Sequence, residues 1–274
     1  MGNREERSSV EQDLLSPKPG RGEELRDVLS KRSDILRAVV DEPATKRELI
    51  DTVDVSRSTI DRGIRSLESI SCVEHEDGRY VATTKGTFAL AEYRRYTSTT
   101  DRLGDGTDIL NWLPTGVEIH TDFLRNMTVH SRDSEIPDAV LEYSNELLQS
   151  TTRLRGFAPV ALTSYPDLIN DGIEERGMNV ELVIENSVFN SLRNIKGNVL
   201  SKLDGNDNVE LYIYENSLPY ALWIMEHDDG VTAGITVYGN GAVQGILTND
   251  SPAAVTWARE MYREYRDQAI DIVE

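Results

Sequence analysis

Residues 45–84, TKRELIDTVDVSRSTIDRGIRSLESISCVEHEDGRYVATT, decide the fold of the first third of the chain. Thr45 can cap a helix running through Val53, and Glu48, three residues on, completes a capping-box pattern. Asp54 and Val55 leave room for only a short turn. Ser56 can cap the next helix, whose buried stripe is Ile60, Ile64 and Leu67 at i, i+4 and i+7. CVEHEDGRYVATT then reads as two strands about Glu76-Asp77-Gly78-Arg79, the Asp-Gly pair being a strong hairpin signal. Helix, tight turn, helix and charged hairpin is the element order of a winged helix-turn-helix, whose last helix enters the DNA major groove while the hairpin, the wing, touches adjacent backbone.

Spacing then selects the candidate contacts. With Ile60, Ile64 and Leu67 turned inward, the outer face of this helix presents Arg57, Ser58, Thr59, Asp61, Arg62 and Arg65. Arginine is the commonest bidentate reader of guanine, and hydroxyls serve bases and phosphates alike. Arg57, Ser58, Thr59, Arg62 and Arg65 are therefore the expected DNA-reading residues, with His75 and Arg79 of the wing on phosphate. Asp61 is expected to orient Arg57 or Arg65, or to accept from cytosine. The bland reading is a solvated helix face in a domain used for protein contacts.

Working outward, Leu25, Val28, Leu29, Ile35, Leu36, Val39 and Val40 recur at helical spacing until Pro43 stops the run, giving a first helix that ends near Asp41. Residues 1–22 mix Ser, Pro, Gly and charge without apolar periodicity and are expected to form a flexible tail. A further helix is expected from Lys85 to about Arg102, so the DNA-binding domain spans 23–103 and a linker with a small element spans 104–136. Residues 137–274 change to an α/β pattern. Helices are expected at 137–154, 164–176 and 187–203, and strands at 155–162, 179–184, 209–214, 220–226, 232–238 and 242–247. A closing helix runs over 252–272. Parallel crossovers followed by hairpins make one sheet with antiparallel closing strands, and the fold class is α+β multidomain.

Composition bounds the function. A chain of 274 residues exceeds the usual single domain of about 100 to 150 residues. Its net charge of -19 opposes binding to a phosphate backbone in general, but the charge is unevenly spread. Residues 30–103 hold 13 basic and 13 acidic side chains, whereas 104–274 hold 11 and 28. Lysine is scarce, 6 against 23 arginines, and an acid-rich, lysine-poor chain suits a salt-rich cytoplasm. There the Debye length falls to about 3 Å at 1 M salt, so close contacts outweigh the global charge. Cys72 is the only cysteine, which excludes an internal disulfide or a one-chain thiolate zinc cluster. The charged N-terminus and the lack of a long apolar run point to a cytoplasmic protein without membrane partners. No motif implies a cofactor or a metal: GNGAVQG lies between expected strands and not before a helix.

An echo suggests where an effector would sit. The strand VELVI is followed by Glu185-Asn186-Ser187, and VELYIY by Glu215-Asn216-Ser217. Ligands bind beyond the carboxyl ends of parallel strands, so both segments should face one crevice, with Ser164 and Tyr165 at the end of the preceding strand and Tyr220 close by. The expected ligand residues are Ser164, Tyr165, Glu185, Asn186, Glu215, Asn216 and Tyr220. Ser164 and Ser187 have a plainer reading as helix caps. Two glutamates oppose an anion, so the expected effector is neutral and polyhydroxyl, or cationic.

The stretch from Ser30 to Gly86 resembles the winged helix of archaeal, especially haloarchaeal, transcription regulators. GFAPVALTSYPDLINDGIEERGMNVELVIENSVF and AAVTWAREMYREYRDQA resemble the FilR-type domain, named for a methanogenesis regulator and distantly similar to the effector domain of TrmB-like sugar regulators. The resemblance implies a homodimer on a palindromic operator of double-stranded DNA. Two rivals stand beside it. The second half could be a dimerisation scaffold without a ligand, or a phospholipase-D-like enzyme. That enzyme class uses His-x-Lys-x4-Asp, and none of His75, His120, His130 and His227 has Lys two residues later.

Overall fold

The computed structural model describes residues 20–133, 135–162, 165–203 and 206–271, so residues 1–19 of the expected tail lie outside the described residues. The chain divides into two compact units between Thr97 and Ser98.

The first unit holds α1 (Arg21–Asp41), α2 (Lys46–Val53), α3 (Arg57–Ser69), the strands β1 (Val73–Glu76) and β2 (Arg79–Ala82), and the start of α4 (Thr84–Asp105). Pro43 ends α1 as expected, because the residue before a proline is pushed out of the helical region and Glu42 is extended at φ -157°, ψ 136°. At the head of α2 the Thr45 side chain accepts from the Glu48 amide while Glu48 accepts from the Thr45 amide at 2.7 Å, a complete capping box. Asp54, in the left-handed region, makes the turn, and Ser56 caps α3 through the Thr59 amide. Asp77 and Gly78 both have positive φ, 47° and 84°, which matches the right-handed twist of the hairpin and pairs Glu76 with Arg79. Ala44 bridges Tyr80, fastening the hairpin to the α1–α2 connection. Leu36, Leu49, Ile60, Ile64, Leu67, Cys72 and Leu90 form one buried core.

In the second unit an eight-stranded sheet runs in the order β10-β6-β5-β4-β7-β8-β9-β3. Its strands are β3 (Thr128–Ser131), β4 (Thr151–Ala158), β5 (Asn179–Glu185), β6 (Val209–Tyr214), β7 (Ala221–His227), β8 (Gly230–Gly239), β9 (Ala242–Asn249) and β10 (Ile270–Asp271). β4, β5 and β6 are parallel, and all other pairings are antiparallel. Helices α7 (Glu142–Ser150), α8 (Tyr165–Arg176) and α9 (Asn186–Leu203) belong to one side, whose core includes Leu148, Leu154, Ile169, Leu192 and Trp223. A second core gathers Ile109 of α5 (Thr107–Leu110), Phe123 of α6 (Thr121–Arg125) and Val255, Ala258 and Tyr262 of α10 (Pro252–Arg266) with Phe157, Val183 and Leu222. Alternate residues of β4, Leu154 and Phe157 among them, thus feed different cores, as a strand buried on both faces must.

Three expectations need correction. The helix expected over 137–154 is a 3-10 turn (Pro137–Leu141) followed by α7, and Thr151 begins β4, where it pairs with His227. β4 stops at Ala158, not at residue 162, because Pro159 has no amide to give the ladder. The closing helix ends at Arg266, and Ile270–Asp271 instead pairs with Ile213 and Tyr212 as an edge strand. The expected linker 104–136 also contributes β3, which pairs with β9. Among the described residues no helix is long and apolar enough to cross a membrane.

Candidate nucleic-acid interface and ligand cavity

Arg57, Ser58, Arg62 and Arg65 of α3 are exposed, opposite the buried Ile60, Ile64 and Leu67. The geometry brings them together on one face. Arg57 and Arg65 make no ion pair among the described residues, whereas Arg62 Nε donates to the Ser58 carbonyl one turn back at 3.1 Å. Thr59 is half-buried, and its hydroxyl lies 2.9 Å from Ser56 Oγ, so it belongs as much to the helix cap as to the outer face.

Two charges behave otherwise than the sequence suggests. Asp61 neither pairs with Arg57 or Arg65 nor stands open to a base: its carboxylate takes the Lys46 ammonium of α2 at 2.7 Å. That hydrogen bond holds Asp61 below its ordinary pKa and Lys46 above its own. Arg79 is not a free phosphate ligand. Its guanidinium reaches both Glu48 oxygens at 2.8 and 2.9 Å and the Pro43 carbonyl at 3.2 Å, tying the β1–β2 hairpin to α2. The Thr45 amide, then the Thr45 hydroxyl, and after them Arg79 hold the Glu48 carboxyl below its usual range. His75 is exposed on β1, its ring 4.9 Å from that of Tyr80. Sequence reasoning passed over Lys46, which also lies over the Tyr80 ring at 5.9 Å; its partner sits fifteen residues away on another helix, beyond any local spacing.

In the second unit the residues expected to form one crevice are parted. β5 and β6 are neighbours, with Glu185 opposite Tyr214, so the two Glu-Asn-Ser segments do end side by side. Glu185 does not face Glu215 across a ligand, because its carboxylate accepts from the Leu218 amide at 2.8 Å and the Ser187 hydroxyl at 3.3 Å. Ser187 therefore does not cap a helix, and α9 begins one residue earlier, at Asn186, whose side chain accepts from Asn190. Glu215 and Asn216 are exposed. Tyr220 is buried against Phe157, at 5.5 Å between ring centroids, in the core on the α10 side, while Tyr165 belongs to the core on the α8 side. Ser164 lies outside the described residues.

A cavity of about 130 Å³ does open in this unit, lined by Tyr165 but by neither glutamate. Its walls are the ends of β4 and β7, helix α8, Leu192 of α9, and Tyr238 of β8. The sequence hides it, since Leu154, Trp223 and Ile169 read as ordinary core residues.

The other face of the sheet carries a network that no local motif announces. Glu181 binds Arg153 at 2.7 Å and Arg155 at 2.9 Å, and Glu226 binds Arg155 and Arg259 of α10. Burial pushes the Glu181 carboxyl up, but the two arginines outweigh it and hold it low. Among the described residues no group of three or more His, Cys, Asp or Glu is placed to hold a metal ion.

With the geometry in place, two family models match. Residues 24–103 match the HVO_A0261 N-terminal domain, and residues 137–268 match the middle domain of the methanogenesis regulatory protein FilR1. The chain is thus similar over 24–103 to the first of these domains and over 137–268 to the second, in that order along the sequence. No curated protein sequence matches it. Among solved structures, the archaeal chromatin protein TrmBL2 is similar at a TM-score of 0.41 and 13% identity, covering 89% of this chain and 94% of that one. Nuc of Salmonella typhimurium, a phospholipase D family member, is similar at a TM-score of 0.38 and 12% identity over 53% of this chain and 97% of its own. NucT of Helicobacter pylori gives 0.39 and 12%, over 54% and 98%. Likenesses of this size carry no conclusion about activity.

Proposed function

We propose that the chain is a sequence-specific transcription regulator: its first unit is a winged helix-turn-helix that reads double-stranded DNA through α3, and its second unit senses an effector. The observation that carries the reading is the outer face of α3, where Arg57, Arg62 and Arg65 stand exposed on a helix whose other face is wholly buried. A helix of thirteen residues (Arg57–Ser69), capped at Ser56 and backed by α1 and α2, is a rigid rod of the width a major groove accepts. The even charge balance of this region removes the objection raised by the net charge, and the match of residues 137–268 to a regulator's middle domain supports the same class. The cavity supports a ligand-taking second unit over a bare scaffold.

Operator DNA selected from a random pool in molar KCl provides the test. Arg65→Ala should weaken binding by about 1–3 kcal/mol and relax preference at one base position if Arg65 reads a base, or weaken all sequences alike if it holds phosphate. Arg62→Ala, Arg65→Ala together should abolish selection. Unchanged operator binding by that double variant, with the fold intact by circular dichroism, would remove α3 from the interface.

A further inference from the structure

The cavity of the second unit lies where the sheet changes from parallel to antiparallel. β4 has parallel β5 on one side and antiparallel β7 on the other, so its carboxyl end meets the start of β7, with Phe157 opposite Leu222. Crevices at the carboxyl ends of strands, where the strand order switches sides, are the usual ligand sites of α/β sheets. Here the floor is the Trp223 indole. It can lie flat because β8 carries Gly234 beneath it, where a β-carbon would fall 2.0 Å from the ring. The indole Nε1 donates to Thr236 at 3.1 Å, so its one polar group is satisfied. Leu154, Ile169 and Met225 make the walls, and Val160, 37% exposed, stands at the mouth.

The lining defines what fits. It includes no charged side chain, and an ion brought into such a space would lose its hydration without compensation. The Tyr165 hydroxyl is spent on Ser144 at 3.0 Å. The Tyr238 hydroxyl makes no hydrogen bond among the described residues, and burial together with the neighbouring Tyr165 raises its pKa, so it is a neutral donor waiting for an acceptor. A space of about 130 Å³ is close to the roughly 150 Å³ of engineered apolar cavities that bind benzene.

We propose that this cavity binds a neutral, single-ring apolar molecule bearing one hydrogen-bond acceptor, which Tyr238 recognises. The ligand class differs from the polyhydroxyl or cationic effector that the paired glutamates suggest, and the site is a different one. The proposal rests on the ligand-sensing part of the function given above and is independent of the DNA-reading part.

Four probes separate the chemistry: acetophenone (ring plus acceptor), ethylbenzene (ring alone), benzoate (charged) and glucose (polyhydroxyl). They are titrated into the full chain in molar KCl without DNA, followed by calorimetry and by the methyl resonances of labelled methionines. Met225 lines the cavity, and Met261 packs in the core of the opposite face as a control. Acetophenone should bind with a dissociation constant below about 1 mM, nine heavy atoms needing only about 4 kcal/mol for that. It should shift Met225 and leave Met261 unmoved. Ethylbenzene should bind about two- to ten-fold more weakly, the range of one hydrogen bond, and Tyr238→Phe should erase that difference. Ala158→Phe should block both. No shift at Met225 with either ring compound overturns the site whether or not the variants fold. Equal binding of benzoate or glucose overturns the ligand class. Because no DNA is present, either failure leaves the operator experiment to be judged separately.

Discussion

Gly86 decides how the head of α4 meets the loop after α3. A β-carbon there would lie 2.0 Å from the Cys72 carbonyl oxygen, a backbone atom held in place by the Thr83 amide at 3.1 Å. The same segment clamps that loop twice more, Thr83 Oγ1 donating to Ser71 and Lys85 Nζ to Ile70. Nothing can yield cheaply, so Gly86→Ala should cost about 1–3 kcal/mol in the first unit, the usual size of an overpacking penalty. Hydrogen exchange at the amides of β1 and α4 would report it, and unchanged protection would show that the contact relaxes. In the sequence TTKG reads only as the end of a strand and the start of a helix. Whether a carbonyl passes over a glycine is a tertiary fact that spacing does not encode, and the same is true of Lys46 claiming Asp61. Burial, by contrast, was legible residue by residue: Ile60, Ile64 and Leu67 are all fully buried, as a three-four repeat on a capped helix requires.

Elements with strong local signals formed where the sequence places them, α2 and α3 by their caps and the wing by Asp77-Gly78, because those signals act within four residues. β3 and β10, four and two residues long, have no signal of their own and exist only because β9 and β6 offer edges to pair with. The candidate DNA face was legible as a surface, yet the wing's tether to α2 was not, since Glu48 had already been assigned to the capping box that it also serves. That double duty leads to a prediction about the wing. Glutamine at this position can still complete the capping box but cannot hold the Arg79 charge. Glu48→Gln should therefore free Arg79 for phosphate and tighten binding to DNA of any sequence by up to about five-fold, the span of an exposed ion pair. Anisotropy titrations with operator and scrambled DNA would show the gain in both; a loss in both would mean that the tethered wing is the binding form. The pH dependence follows in sign. The Thr45 amide first, then the Thr45 hydroxyl and Arg79, lower the Glu48 pKa in the fold, so what this carboxylate contributes to cap and tether together is present above the unfolded carboxylate pKa. It is lost as pH falls through the lowered value, leaving the wing tethered at neutral pH.

For the molecule as a whole, the proposed operator reading requires two copies, because a single winged helix covers one half-site and paired half-sites need two-fold symmetry. The first unit offers a seam. Tyr93 of α4 is half-buried and packs on the first unit's core, so it is spoken for, whereas Phe88 on the same helix is 68% exposed. An aromatic as exposed as Phe88 favours contact with another surface. Phe88 joins no core among the described residues, so its replacement tests association and not folding. Each copy carries -19, and two such chains repel strongly unless salt intervenes. At about 1 M salt the Debye length is about 3 Å, short enough that a seam can close despite the acidic residues beyond it. Light scattering should therefore give the mass of a dimer in molar KCl and a falling mass as salt is diluted. Phe88→Glu should give a folded monomer at every salt concentration and weaken binding to a two-half-site operator far more than binding to a single half-site. A monomeric wild-type mass in molar KCl with operator present would remove the dimer. A dimer that persists in Phe88→Glu would move the seam away from α4 while leaving the two-fold reading of DNA in place.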